Sequence, residues 1–457
     1  MMKKTQILVV LGSIWMGVFC SSPLSAASKN IKVSLSEALT HAKAHSAEIK
    51  MAHDEIDQAS GKYSEYKSMM LPHIKSTTLL IPIYKELGDP VTSKDQDFSR
   101  WGPWIKSTVE IMQPLYSFSR MGSIREAAEQ NIEAQKGKKQ MKNDEILFDV
   151  KKYYYNTQAA YGMYDEIVSS QEELMKVITR VDELLKQESG EVRKQDAYKL
   201  KTIYQELKQK LEFVKKAKVL AASAMAFKSG YDKDIELKLK DTTIQQEKFA
   251  PLSLEAYQTM ALEHRPEYKA LKAGLRARKA LVAFEKKNRL PFIFIGGLID
   301  INDTPNSIRQ RQASPYAYDP YNSINMGAGL GMRWNLDFWK VDAKIKTVKA
   351  EYHELLHKKE MADTGLPLEV KKAFLEYQEA LNNIGHSTEQ RDHSKKWFIQ
   401  SVMAWGLGVG DAREVLEAVT FKSISDKNYY EALMNHNIAI AALSQTTGTE
   451  LLPNLKY

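Results

Sequence analysis

Residues 323–336, SINMGAGLGMRWNL, hold two side-chain chemistries in strict alternation. Ile324, Met326, Ala328, Leu330, Met332, Trp334 and Leu336 occupy one parity; Ser323, Asn325, Gly327, Gly329, Gly331, Arg333 and Asn335 occupy the other. Period two with one apolar side describes a strand lying between oil and water. At Asp337 the period changes without a turn signal. Phe338, Val341, Ile345, Val348, Tyr352 and Leu355 then follow at spacings of three and four, the seam of a supercoiling helix. A lipid-patterned strand running straight into a long coiled-coil helix excludes most folds a chain of 457 residues could adopt.

The first residues, MMKKTQILVVLGSIWMGVFCSSPLSAAS, carry Lys3 and Lys4, an apolar run over 7–19 and small residues at Ala26 and Ala27. This is the pattern of a secretory signal peptide over 1–27, cleaved near Ala26 or Ala27. The one cysteine of the sequence, Cys20, follows the apolar run. Gly17-Val18-Phe19 before it is a poor lipoprotein-processing sequence, so cleavage is expected over lipid attachment. The mature chain would then have neither disulfides nor thiol chemistry. It has no apolar run of about 18 residues, so no spanning helix is expected. Export without a membrane helix, yet with a strand patterned for lipid, points to the outer membrane or periplasm of a Gram-negative envelope. The net charge of +8 is spread over mixed-sign helices, which favours a solvated surface over nucleic-acid binding.

The chain is written twice. HSAEIK at 45–50 and HRPEYK at 264–269 lie 219 residues apart, as do Leu71-Pro72 and Leu290-Pro291, and Ser34-Leu35 and Ser253-Leu254. Gln113-Pro114-Leu115 matches Trp334-Asn335-Leu336 at an offset of 221, and Gly190 matches Gly408 at 218. A nearly constant offset marks an internal duplication. It divides the chain into the signal peptide, a first repeat over 28–229, a linker over 230–252, a second repeat over 253–448 and a tail over 449–457.

Each repeat reads as helix, strand, loop, strand, long helix, turn and returning helix. The first predicts a helix over 36–69, strands over 74–83 and 105–115, a long helix over 119–188 and a return to 228. The second predicts a helix over 254–288, strands over 292–301 and 323–336, a long helix over 337–405 kinked or interrupted at Pro367, and a return to 447. A continuous helix over 119–188 would be roughly 100 Å long, more than any globular core needs. Four strands cannot bury both of their edges, and a sheet in lipid must close. Other copies must complete it, and three would give twelve strands, an even number found in outer-membrane barrels. Trp101, Trp104 and Trp334 are candidates for the interfacial aromatic girdle of such a barrel.

Four stretches, taken in order, resemble the TolC family of outer-membrane efflux proteins: MQPLYSFSRMGSIREAAEQNIEAQ, HRPEYKALKAGLRARKALVAFEKKNRLPFI, MRWNLDFWKVDAKIKTVKAEYHEL and GVGDAREVLEAVTFKSISDKNYYEALMNHNIAIAALSQTTG. The resemblance implies a mainly α chain with a small β part. Three protomers would form a transmembrane β-barrel of four strands each, continuing into a periplasmic coiled-coil tunnel. It implies a passive exit duct, docked through a periplasmic adaptor (membrane fusion) protein to an inner-membrane transporter of a tripartite efflux or type I secretion system. It implies no enzyme activity and no cofactor. By the same match the gate lies where the helices turn, at Gly190 and Gly408. Glu414 and Glu417 would line the narrowest point, where an acidic ring favours cations. Asp196 falls at the family's latch aspartate and Trp405 at the place of a latch tyrosine. The family's basic partner, two residues after the second-turn glycine, is here Gly410, leaving Arg413 as the substitute cation. The competing reading makes these charges solvated helix starts.

Two other classes stay open from the residues. His353-Glu354-Leu355-Leu356-His357 fits the H-E-x-x-H zinc-protease pattern, with both histidines on one helix face. A catalytic zinc needs a third protein ligand, and Glu360 is too close in sequence to supply it. The coiled-coil seam also runs through the stretch, so surface histidines are expected and no metal site is assigned. The other class is a periplasmic coiled-coil binding protein without a pore, against which the alternation at 323–336 argues. Cargo and transporter class are not encoded in any motif.

Overall fold

The computed structural model describes residues 29–86, 96–187, 193–307, 319–407 and 409–452. The first set of elements is β1 (Lys29–Val33), α1 (Leu35–His45), α2 (Ala47–Ser68), β2 (His73–Glu86), β3 (Gln96–Tyr116), α3 (Arg120–Lys186) and α4 (Lys194–Ser229). The second repeats the order: β4 (Ile235–Leu239), α5 (Leu254–His264), α6 (Pro266–Lys287), β5 (Phe292–Asp303), β6 (Ser323–Arg333), α7 (Phe338–Gly406) and α8 (Ala412–Thr447).

The single helices expected over 36–69 and 254–288 are each two. Both break at the repeated motif, at Ser46 and Arg265. Pro266 drives the residue before it out of the helical region, and Arg265 sits at φ −62°, ψ 123°. Ser46 takes the same conformation, φ −55° and ψ 126°, without a proline, and is buried. Ser34 starts α1 with a reciprocal cap: its hydroxyl accepts from Glu37 N–H, and the Glu37 carboxylate accepts from Ser34 N–H. The interruption expected at Pro367 is not found, since α7 runs as one helix of 69 residues through it. An interior proline costs about 3 kcal/mol, and the α5–α6 break grips α7 there. Gln258 Nε2 donates to Pro367 O at 3.1 Å, and Arg265 Nη1 lies 2.5 Å from Glu369 Oε2.

The stretch 230–252 carries β4, which pairs in parallel with β1 from Lys29↔Ile235 to Val33↔Leu239. Val33, Leu39, Ala42, Val150, Tyr154, Met225 and Leu237 close a core around that pair. Beyond β4 the chain is fixed to α8 by Asn437, which donates to Gln245 O (2.8 Å) and accepts from Glu247 N–H (3.1 Å).

The remaining strands form one antiparallel sheet in the order β2-β3-β5-β6. The register stacks Ile74 against Ile111, Ile111 against Gly297, Ile299 against Met326 and Ile295 against Leu330. Paired residues share a side, so the apolar parities of β3, β5 and β6 make one face with Ile74 and Leu80 of β2, while Leu79 and Leu298 fall on the other. The apolar face is bare: Met326 and Leu330 are 76% and 74% exposed. Lys75, Lys106, Thr108, Glu110, Asp300, Asn325 and Arg333 occupy the other face, where Thr108 Oγ1 donates to Asp300. Trp101 is exposed on the apolar side among Tyr84 and Phe98, and Trp334 is exposed with Nε1 donating to Arg289 O. Trp104 has the opposite parity and meets Tyr321 edge-on at 5.3 Å, which removes it from the girdle expected of all three.

The helices follow the same lateral order. Beside the strands, α2 packs on α3, α3 on α6 and α6 on α7. Past the helix breaks the order is α4, α3, α8, α7. Every layer therefore ends with β2, α2 or α4 on one side and with β6 or α7 on the other.

Candidate functional site at the helical turns

The two hairpins, α3–α4 and α7–α8, converge toward their turns on a shared apolar cluster. Leu174, Ile178 and Val181 of α3, Leu200 of α4, Phe398 of α7, and Val415 and Val419 of α8 are its centre. Trp405, half-buried, packs against it. Gly190 and Gly408, the glycines expected at the two turns, lie outside the described residues.

Asp196 stands in the first turn of α4, three residues after the N-cap Arg193, with Lys199 Nζ 3.7 Å away on the same helix. Asp411 caps α8 by accepting from Arg413 N–H at 2.9 Å, and Glu414 occupies the first turn beyond it. Each carboxylate is near the positive end of a helix dipole. Val415, Leu416, Ala418 and Val419 are buried, so Glu414 and Glu417 fall on the opposite side of α8, both exposed. Arg413 Nε lies 3.4 Å from Glu417 Oε1, one turn along the same helix. The cation expected as a cross-tip latch is therefore engaged within α8.

Gly410 explains why no basic side chain stands there. Its N–H and that of Val409 both donate to Ala404 O, at 3.0 and 3.1 Å, folding the turn back onto the end of α7. A Cβ at 410 would lie 2.6 Å from Trp405 N, inside any real contact.

Above the turns, a charged cluster that the sequence reading passed over joins α3, α7 and α8. Arg391 pairs with Glu166 and, at 2.8 Å, with Asp426. Lys422 reaches Asp426 at 2.9 Å, Ser170 Oγ at 3.1 Å and Glu166 at 3.4 Å. Lys422 and Asp426 are buried, and the Arg391 guanidinium lies 4.5 Å from the Tyr429 ring centre. Two cations and two anions balance, as buried charge must. The only sequence signal was the Lys422/Asp426 spacing of one helical turn.

His353 and His357 are exposed on α7, and His357 Nδ1 lies 3.3 Å from Glu360 Oε2. Among the described residues no group of three His, Cys, Asp or Glu side chains within the chain is placed to hold a metal ion. The protease reading has no support, and a soluble coiled coil does not account for the bare apolar sheet face.

A four-stranded sheet with one greasy and one polar face, continued by antiparallel helices of about 100 Å, defines the class: the chain has the TolC-like fold of outer-membrane efflux channels. It is similar over 98% of its length to the CmeC outer membrane channel of Campylobacter jejuni (TM-score 0.75, 11% identity, 95% of that chain covered). CusC, described in terms of folding and transmembrane channel formation, matches 92% of the chain and 93% of its own at TM-score 0.73 and 14% identity. The open state of the MtrE outer membrane channel of Neisseria gonorrhoeae matches 100% of the chain and 99% of its own at TM-score 0.70 and 14% identity. All three structures are described as channels. No protein-family model and no curated protein matches the sequence.

Proposed function

We propose that three copies of this chain close into an outer-membrane duct that passively conducts small molecules or secreted proteins from a periplasmic adaptor and inner-membrane transporter to the exterior. The observation that carries the reading is the agreement of the open edges. The sheet has unpaired edges at β2 and β6, and the helix layers end at α2 or α4 and at α7 on the same two sides. The end helices carry apolar side chains at heptad spacing that nothing covers: Phe213, Leu220 and Phe227 on α4, Met361, Leu368 and Leu375 on α7. One side of the chain is thus built to meet the other side of a copy, a heterologous contact that closes into a ring. Twelve strands then leave no edge in lipid. The polar sheet face lines the lumen, and the apolar face meets the outer-membrane lipid.

The gate of such a duct is the ring of turns. Glu414 and Glu417, exposed on α8, would face the axis as an acidic constriction, with Asp196, Trp405 and Arg413 setting how tightly the hairpins close. Sizing in detergent and conductance in planar bilayers test the reading. A trimer that conducts, with cation preference reduced in the Glu414→Gln/Glu417→Gln variant, is expected. A compact monomer that leaves the bilayer sealed overturns it.

A further inference from the structure

The histidine pair of α7 lies on the side of the chain that the duct reading turns toward the next protomer, and the duplication states what it meets there. In the lateral order α2, α3, α6, α7, the joint from α7 to the neighbouring protomer's α2 is the repeat equivalent of the joint from α3 to α6. That internal joint is tight where two small residues meet and bridged by a polar pair one to two turns away. Gly137 of α3 faces Ala270 of α6, so close that a Cβ on the glycine would lie 2.8 Å from the alanine's, and Arg276 Nε donates to Gln130 Oε1 at 2.6 Å. Ala273, between those contacts, is 2% exposed.

The repeat offset, about 220 residues, carries Glu133 and Gly137 onto His353 and His357, and the offset of 219 carries Ala273 onto Asp54. Where the chain's own joint holds Glu133, Gly137 and Ala273, the joint between protomers places two imidazoles one helical turn apart beside a carboxylate, with Met51, the counterpart of Ala270, one turn before it. All three are exposed in the single chain. Residues at i and i+4 share a helix face, the spacing at which two histidines chelate one ion. Glu360 stands 3.3 Å from Nδ1 of His357, where a carboxylate orients a metal-bound imidazole and leaves Nε2 for the metal.

We infer that each joint between protomers binds a divalent transition-metal ion of the zinc class through His353 and His357 of one protomer and Asp54 of the next. The inference rests on the ring reading, because a lone chain supplies two of the three ligands. With water in the fourth position the set is tetrahedral and chemically suited to zinc. Its role is to hold the ring: an ion bound only by the closed joint stabilises that joint by mass action.

The test uses the detergent-purified, tag-free protein, sized by light scattering, stripped with chelator and titrated calorimetrically with Zn2+. Three ions per trimer and a zinc-dependent rise in the melting temperature of the trimer are expected. His357→Ala and Asp54→Asn should each weaken binding beyond the roughly 10–100-fold that loss of an outer-shell partner costs, while His386→Ala binds as the parent does. A monomer would overturn the ring reading and this inference with it. A trimer that binds no zinc, or binds it equally well as Asp54→Asn, would overturn the metal joint alone.

Discussion

Single residues set the local rules of this chain through what their surroundings forbid. Gly410 is the clearest case, since the turn bonds Val409 and Gly410 to Ala404 O and leaves no room for a Cβ beside Trp405 N. Gly410→Arg, which places a basic side chain there, should therefore loosen the turn rather than lock it, at a cost of about 1–3 kcal/mol typical of overpacking. Amide hydrogen exchange will show it as faster exchange at 409 and 410 with α3 unchanged. Asp144 on α3 makes the opposite point. Burial pushes its carboxyl above the usual aspartate range, although Gln140 Nε2 donates to it at 2.7 Å. With the folded-state value raised, the native chain holds a proton that the unfolded chain has already lost. Stability therefore falls as pH rises from the ordinary aspartate value through the raised one, and neutral pH carries the whole penalty. Asp144→Asn should melt higher than the parent at pH 7, and the two should converge below the ordinary aspartate range.

At the scale of elements, what was legible in the sequence was what repeats. The alternation at 323–336 and the heptad seam after Asp337 announced β6 and α7 because one face of each had to be apolar. Two identically placed motifs then carried the same order of long helix, strands and hairpin onto the first half. Neither helix break was read: Pro266 marks the one at Arg265, which was passed over, and Ser46 has no local mark at all. β4 was missed because a five-residue strand, IELKL, is short and lies in a stretch read as linker. Of the candidate site, the helix starts at Asp196 and Glu414 could be read, but the engagement of Arg413 by Glu417 could not. The charged quartet of Glu166, Arg391, Lys422 and Asp426 was invisible for a similar reason: its members meet only when three helices pack. Arg391→Met should remove the partner shared by Glu166 and Asp426 and leave Asp426 with Lys422 alone. Breaking a buried pair costs about 3–5 kcal/mol, and the lower end applies because Arg391 and Glu166 are about one-quarter exposed. Loss of helical circular dichroism at a lower temperature than the parent measures it.

The whole molecule is defined by which of its sides are unfinished, and the heights of those sides can be matched from within one chain. Gly230 ends α4 against His45 O, at the α1–α2 break, and Glu369 of α7 is held by Arg265 at the α5–α6 break. The two breaks are repeat equivalents, so Phe227, just before Gly230, and Leu368, beside Glu369, stand at one level. Both are uncovered, at 75% and 67% exposure. From there α4 traced backward and α7 traced forward both descend toward the turns, and a step of seven residues moves each by roughly 10 Å. In the proposed ring Leu220 would therefore face Leu375 across the joint between protomers, and within one chain the two lie on opposite sides of the helix layer. Because Cys20 is the one cysteine in the sequence, and lies in the stretch expected to be removed as a signal peptide, the pairing can be read directly. Leu220→Cys combined with Leu375→Cys should give, on mild oxidation in membranes, covalent species up to a trimer that reducing agent dissolves, whereas either substitution alone should run as a monomer. Cross-links that appear equally with Leu220→Cys alone would place α4 against its own copy, an isologous contact that cannot continue around a threefold ring.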